Sequence, residues 1–179
     1  MDYNMGQVID DKKSKEITYQ WFLKKLHEEN DTAELLSIKK SHNIPRELIN
    51  KYKGIFYKGK TLMDVIKESP HYYDKYLDTY TKSMNFVRSA IPANQSVVEK
   101  NILENILRIQ IPVYFFEGRH DRIAACAPEL VIEYFGKLNA PKKEIIWFEE
   151  SAHHPNIDEP DEFQKILISK VLNDNYDKN

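Results

Sequence analysis

The spacing of apolar positions changes near residue 109 and divides the chain into two stretches. In the second stretch, Ile111-Pro-Val-Tyr-Phe-Phe116 is a short run, apolar on both faces and rich in β-branched and aromatic residues, that stops at Glu117-Gly118. Such a run is the pattern of a buried parallel strand. Ala127-Pro128-Glu129 then opens a helix with proline in its first turn. Leu130, Val131, Tyr134, Phe135 and Leu138 recur at helical spacing and form one apolar face, and Asn139-Ala-Pro141 ends it. Glu144-Ile-Ile-Trp-Phe148 predicts a second strand, residues 149–159 a polar loop, and Pro160-Asp161 the start of a last helix with Phe163, Ile166, Leu167 and Val171 inward. Strand, helix, strand, helix with short links predicts an α/β unit with parallel strands and right-handed crossovers.

Before residue 109 the period is helical. Val8-Ile9 reads as the end of a short strand, and from Ser14 a helix places Tyr19, Phe22, Leu23 and Leu26 on one face. Asn30-Asp31 breaks it, a second helix runs through Leu36, and Ile44-Pro45 and Gly54 punctuate the next segment. Further helices are predicted over 61–68, 70–84 and 97–109. In the second of these, Tyr72, Tyr76 and Tyr80 stand at four-residue spacing, which predicts a packing stripe or part of a pocket wall. The charged end Asn173–Asn179 predicts a frayed tail.

Composition narrows the class. Of 179 residues, 41% are hydrophobic, enough for a packed core rather than a disordered chain. The net charge of −2, with both signs interspersed, lacks the basic footprint of a nucleic-acid binder. There are 5 glycines, few for the tight strand-to-helix turns of a complete α/β enzyme. The one cysteine, Cys126, excludes an intrachain disulfide. No apolar run reaches the ~18 residues a membrane span needs, and the N-terminus lacks a secretion-signal pattern. A cytoplasmic setting is the expectation.

The chemistry concentrates at two strand ends. Asp121 stands just past Gly118, where the first clear strand ends, and His153 comes after the next strand on the loop Ser151-Ala-His-His154. In open α/β sheets functional residues gather at the carboxyl ends of strands. A carboxylate there can hold an imidazole in one tautomer and stabilise the imidazolium formed when the ring takes a proton. Singly, an Asp after Gly is often a turn residue and a loop His is often solvated. Together, at consecutive strand ends and in the order Asp then His, they match the second and third members of an α/β-hydrolase triad. Cys126, near a helix N-terminus, reads as a buried small residue rather than a nucleophile. His120, Asp121, His153, His154 and Asp158 supply ligand types without a metal-binding spacing, so neither metal nor cofactor is expected.

The stretches Ile111–Arg122, Ala140–Phe148, Ser151-Ala-His-His-Pro-Asn156 and Glu159-Pro160 resemble the C-terminal end of α/β-hydrolases similar to proline iminopeptidases. Met5-Gly6-Gln7-Val8 resembles the sixth core strand and entry to the helical cap of that group, and Pro70-His-Tyr-Tyr73 and Ser83-Met-Asn-Phe86 resemble cap segments. The resemblance implies the C-terminal portion of an α/β-hydrolase fold, about three parallel strands with flanking helices, plus an all-helical cap. It implies a remnant core strand over 1–10, the cap over 11–108, the core over 109–173 and a tail over 174–179. Asp121 would be the triad acid and His153 the base, while His154 lies at a non-catalytic position and Ala152 stands where many relatives carry glycine. None of the serines, at 14, 37, 41, 69, 83, 89, 96, 151 and 169, lies in the Gly-x-Ser-x-Gly turn that presents the family's nucleophile. The chain thus reads as a hydrolase of peptide, ester or amide bonds that lacks its nucleophile half and is inactive alone. One half of a split hydrolase and a non-catalytic binding module are the alternatives. The implied partners are a small-molecule or peptide substrate and an N-terminal half. An open strand edge also predicts self-association and a marginally stable or aggregation-prone isolated chain.

Overall fold

A computed structural model describes residues 2–5, 8–59, 62–68, 78–79, 81–83, 85–86, 101–123 and 126–176. The predicted Tyr72, Tyr76 and Tyr80 stripe, and most of the segments likened to the cap, lie outside these residues. Strand β1 covers Asp2–Met5, and the helices α1 (Asp11–Glu28), α2 (Thr32–Ser41), α3 (Arg46–Lys51) and α4 (Leu62–Glu68) come next. After α5 (Ile102–Asn105) come β2 (Val113–Gly118), α6 (Pro128–Lys137), β3 (Lys143–Phe148), α7 (Pro155–Asp158) and α8 (Pro160–Tyr176).

The class is mixed α/β. β2 and β3 run parallel, with Val113 opposite Lys143 and Gly118 opposite Phe148. The backbone of β1 runs parallel to β2 on its other side, Asp2 opposite Val113. Every residue of β2 is buried, and its side chains alternate between two cores as strand geometry requires. Val113 and Phe115 join Ile9, Leu103, Leu130, Val131, Tyr134 and Leu138, the cluster under α6. Tyr114 and Phe116 join Ile146 and Phe148, against Phe163, Ile166 and Leu167 of α8. Burying each such aromatic or aliphatic side chain stabilises the fold by about 1.5–3 kcal/mol.

The helical stretch has its own core of Phe22, Leu26, Ile38, Leu48, Ile49, Ile55 and Phe56. The Asp10 carboxylate starts α1 by accepting from the Lys13 N–H (2.9 Å), and Asp31 starts α2 through the Glu34 N–H (3.3 Å).

Several elements differ from the pattern-based expectation. Val8-Ile9 lies past the strand; Ile9 is instead a buried residue of the α6 core. α2 continues five residues past Leu36 and ends where His42 adopts a left-handed conformation (φ 51°). The helix expected over 97–109 is, among its described residues, only the turn Ile102–Asn105. The chain then leaves the helical path because Arg108 forms a parallel bridge to Asn139 and the Ile109 N–H donates to the Asn139 carbonyl. The short helices α3 and α7 were not legible, being too brief to show a period. The tail is helical through Tyr176. Among the described residues no helix is long and apolar enough to cross a membrane.

Candidate functional site

Gly118 and Phe148 are opposite each other, so the loops after β2 and β3 leave the sheet at the same level. The ladder continues past the strands: the Arg119 N–H donates to the Phe148 carbonyl and the His120 N–H to the Ser151 carbonyl, each at 3.0 Å. Gly118 is required by this approach. A Cβ there would overlap the Ala152 carbonyl oxygen and stand 2.6 Å from that of Ser151. The glycine that ends the first strand thus lets the two rim loops touch.

Asp121 then turns back, its N–H donating to the Gly118 carbonyl at 3.3 Å. Its carboxylate is 1% exposed. One oxygen accepts from the Ile123 N–H at 2.9 Å, and Oδ2 lies 2.8 Å from His153 Nδ1. The His153 side chain keeps 18% of its surface open. The structure therefore brings the two residues singled out in the sequence into one hydrogen bond. Burial pushes the Asp121 carboxyl above the ordinary carboxylate range, against the opposing pull of His153, the Ile123 N–H and Arg122.

The other candidates have packing partners. His154 stacks on Phe56 with ring centroids 4.7 Å apart. Burial, with the neighbouring His153, lowers it to about 4, so the ring is neutral near pH 7. His120 stacks on Tyr57 at 4.0 Å, and its Nε2 faces the Glu149 carbonyl at 3.1 Å. Cys126 is 4% exposed, and its thiol is pushed up by burial and by Asp121, Glu117 and Asp11, the opposite of what a nucleophilic thiolate needs. Among the described residues no group of three His, Cys, Asp or Glu side chains is placed to hold a metal ion.

Two carboxylates were not foreseen. Glu117 is 1% exposed with neither oxygen hydrogen-bonded among the described residues, and burial, then the nearby Asp121, raises it to about 8. A charged residue directly at the end of a run apolar on both faces, ahead of the glycine, was its available signal. Asp158, considered in the sequence only for its ligand chemistry, accepts backbone N–H groups of Tyr57, Lys58 and Ala152 at 2.9–3.0 Å. No local pattern announces that, because Tyr57 and Asp158 are distant in sequence.

No family model matches the chain. The chain is similar to a curated protein over part of its length. Over 67 residues, 37% of this chain, it is 37% identical to the protein of Bacillus subtilis (strain 168) named "Probable aminopeptidase YbaC". That relative is a probable aminopeptidase. The matched stretch spans 20% of that relative's length.

Proposed function

We propose that this chain carries the acid–base pair of an α/β-hydrolase acting on peptide, ester or amide bonds, with His153 as general base and Asp121 as the group that orients it. The observation that carries the proposal is the 2.8 Å contact between His153 Nδ1 and Asp121 Oδ2, made from the ends of adjacent parallel strands. In this arrangement Nδ1–H donates to the carboxylate, so Nε2 carries the lone pair that takes a proton from an attacking hydroxyl. Buried and backbone-anchored, Asp121 stabilises the imidazolium that results and does not itself take the proton. The partial similarity to a probable aminopeptidase supports the same class.

Residues 1–179 contain no Gly-x-Ser-x-Gly turn. We therefore place the nucleophile and the oxyanion donors on a polypeptide segment that is not among them. β1 has β2 on one side and no strand on the other among the described residues, which suits it to pair with that segment. The test is ester hydrolysis by this chain mixed with an α/β-hydrolase N-terminal half bearing the serine turn. Activity is expected on mixing and is expected to fall roughly a thousandfold or more in His153→Ala. Activity that is indifferent to His153, or none on mixing, refutes the assignment.

A further inference from the structure

We propose that Asp158 is a positioning residue for His153. It pins a strap from the helical stretch, residues 54–58, across both rim loops and so holds the imidazole on Asp121. The inference deepens the proposed function and rests on Asp121 and His153 being the working pair.

Asp158 ends α7, is 2% exposed, and spends its carboxylate on backbone. Oδ2 accepts from the Tyr57 N–H (2.9 Å) and the Ala152 N–H (3.0 Å), and Oδ1 from the Lys58 N–H (3.0 Å). Three charge-assisted bonds to N–H groups compensate the loss of water around a buried carboxylate. Two of the donors belong to the strap, and the third precedes His153 by one residue.

The strap reaches the pair directly as well. The His153 N–H donates to the Ile55 carbonyl at 3.1 Å, and the Arg122 N–H to the Gly54 carbonyl at 3.0 Å. The peptides on either side of Ala152 are therefore held, the Ala152 N–H by Asp158 and the His153 N–H by the strap. The residue after Asp121 is held by the same strap. Gly54 permits this approach, because a Cβ there would stand 2.6 Å from the Arg122 Cβ. Phe56 stacked on His154 and Tyr57 stacked on His120 close the strap over the rim. A short histidine–carboxylate bond needs both loops in register, and the Asp158 carboxylate ties the strap to the His153 loop alongside the Ile55–His153 backbone bond.

The readout is the His153 Nδ1 proton, seen by NMR as a downfield resonance of the intact chain and assigned by its loss in Asp121→Asn. Its exchange with water and the His153 titration are measured in Asp158→Ala and Asp158→Asn, with thermal melting as the check on folding. In folded Asp158→Ala the resonance is expected to vanish into exchange and the titration midpoint to move. In Asp158→Asn, which keeps an oxygen for Tyr57 and Ala152 but loses the acceptor for Lys58, exchange is expected to quicken by about tenfold. Should the alanine variant fail to melt cooperatively, the asparagine variant decides alone. An unchanged resonance and titration in a folded variant overturn the positioning role while leaving the pair intact. Absence of the resonance from the unsubstituted chain overturns the pair itself, and with it the proposed function.

Discussion

The α/β stretch and the helical stretch treat charge in opposite ways. All three carboxylates buried among the described residues, Glu117, Asp121 and Asp158, lie after residue 109. In the helical stretch the acids sit at the surface in pairs such as Lys51–Asp31 (2.9 Å) and Lys25–Glu29 (3.0 Å), which contribute little to stability. The buried polar residues there are Ser14 and Thr18. A buried carboxylate is costly unless it is partnered or protonated, and that cost falls on one stretch of the chain. The three acids are compensated differently: Asp158 by backbone donors, Asp121 by a histidine and one N–H, and Glu117 by retaining its proton. The helical core nevertheless extends to these acids, since Ile123 and Ile157, one from each rim segment, pack against it.

The sharpest way to break the contrast is at the rim. Gly118→Ala sets a side chain against the Ala152 carbonyl, backbone against backbone, where neither side yields cheaply. We expect a loss above about 4 kcal/mol in denaturant unfolding; near-wild-type stability would show that the loops do not touch. Next is Phe22→Ala, which empties the centre of the helical core and should cost about 3–4 kcal/mol. Because Ile123 and Ile157 join that core, the variant should still melt in one transition; two separate transitions would make the stretches independent bodies.

The smallest expected effect is a pH slope. Glu117 is raised from 4.5 to about 8, so between those values the folded chain keeps a proton that the unfolded chain releases, and stability falls as pH rises. His154 is lowered from 6.5 to about 4, so the unfolded chain takes up a proton first and stability falls as pH drops through that window. The two opposing slopes cancel between pH 4.5 and 6.5. From pH 6.5 to 8 the Glu117 contribution stands without that offset and stability should decline by about 2 kcal/mol, with the decline abolished in Glu117→Gln. Unfolding free energies across this range check it, and a wild-type slope that survives the glutamine substitution would clear Glu117 of the role.

The parts of this fold that were legible are those written in short-range pattern. Ile111–Phe116 and Glu144–Phe148 read as strands because apolar runs are local, and the structure has strands at Val113–Gly118 and Lys143–Phe148; α6 and α8 were legible because their faces repeat at helical period and proline opens each. Asp121 and His153 were legible for a related reason: each stands just past a strand end, and parallel strands send consecutive ends to one rim. Where two distant segments compete for a backbone, the pattern misled. Residues 106–109 leave the helical path because the chain around Asn139 takes up their backbone groups.

Local periodicity alone determined the α/β class of the second half, the helical character of the first, and the placing of one acid and one histidine at adjacent strand ends. Only the tertiary structure decided that Gly118 lets the loops meet, that the 54–58 strap crosses them, that Asp158 is spent on backbone and that Glu117 is sealed from water. Periodicity records which face of an element is apolar. It carries no term for a carbonyl, N–H or carboxylate delivered from a hundred residues away, and those deliveries hold the Asp121–His153 pair.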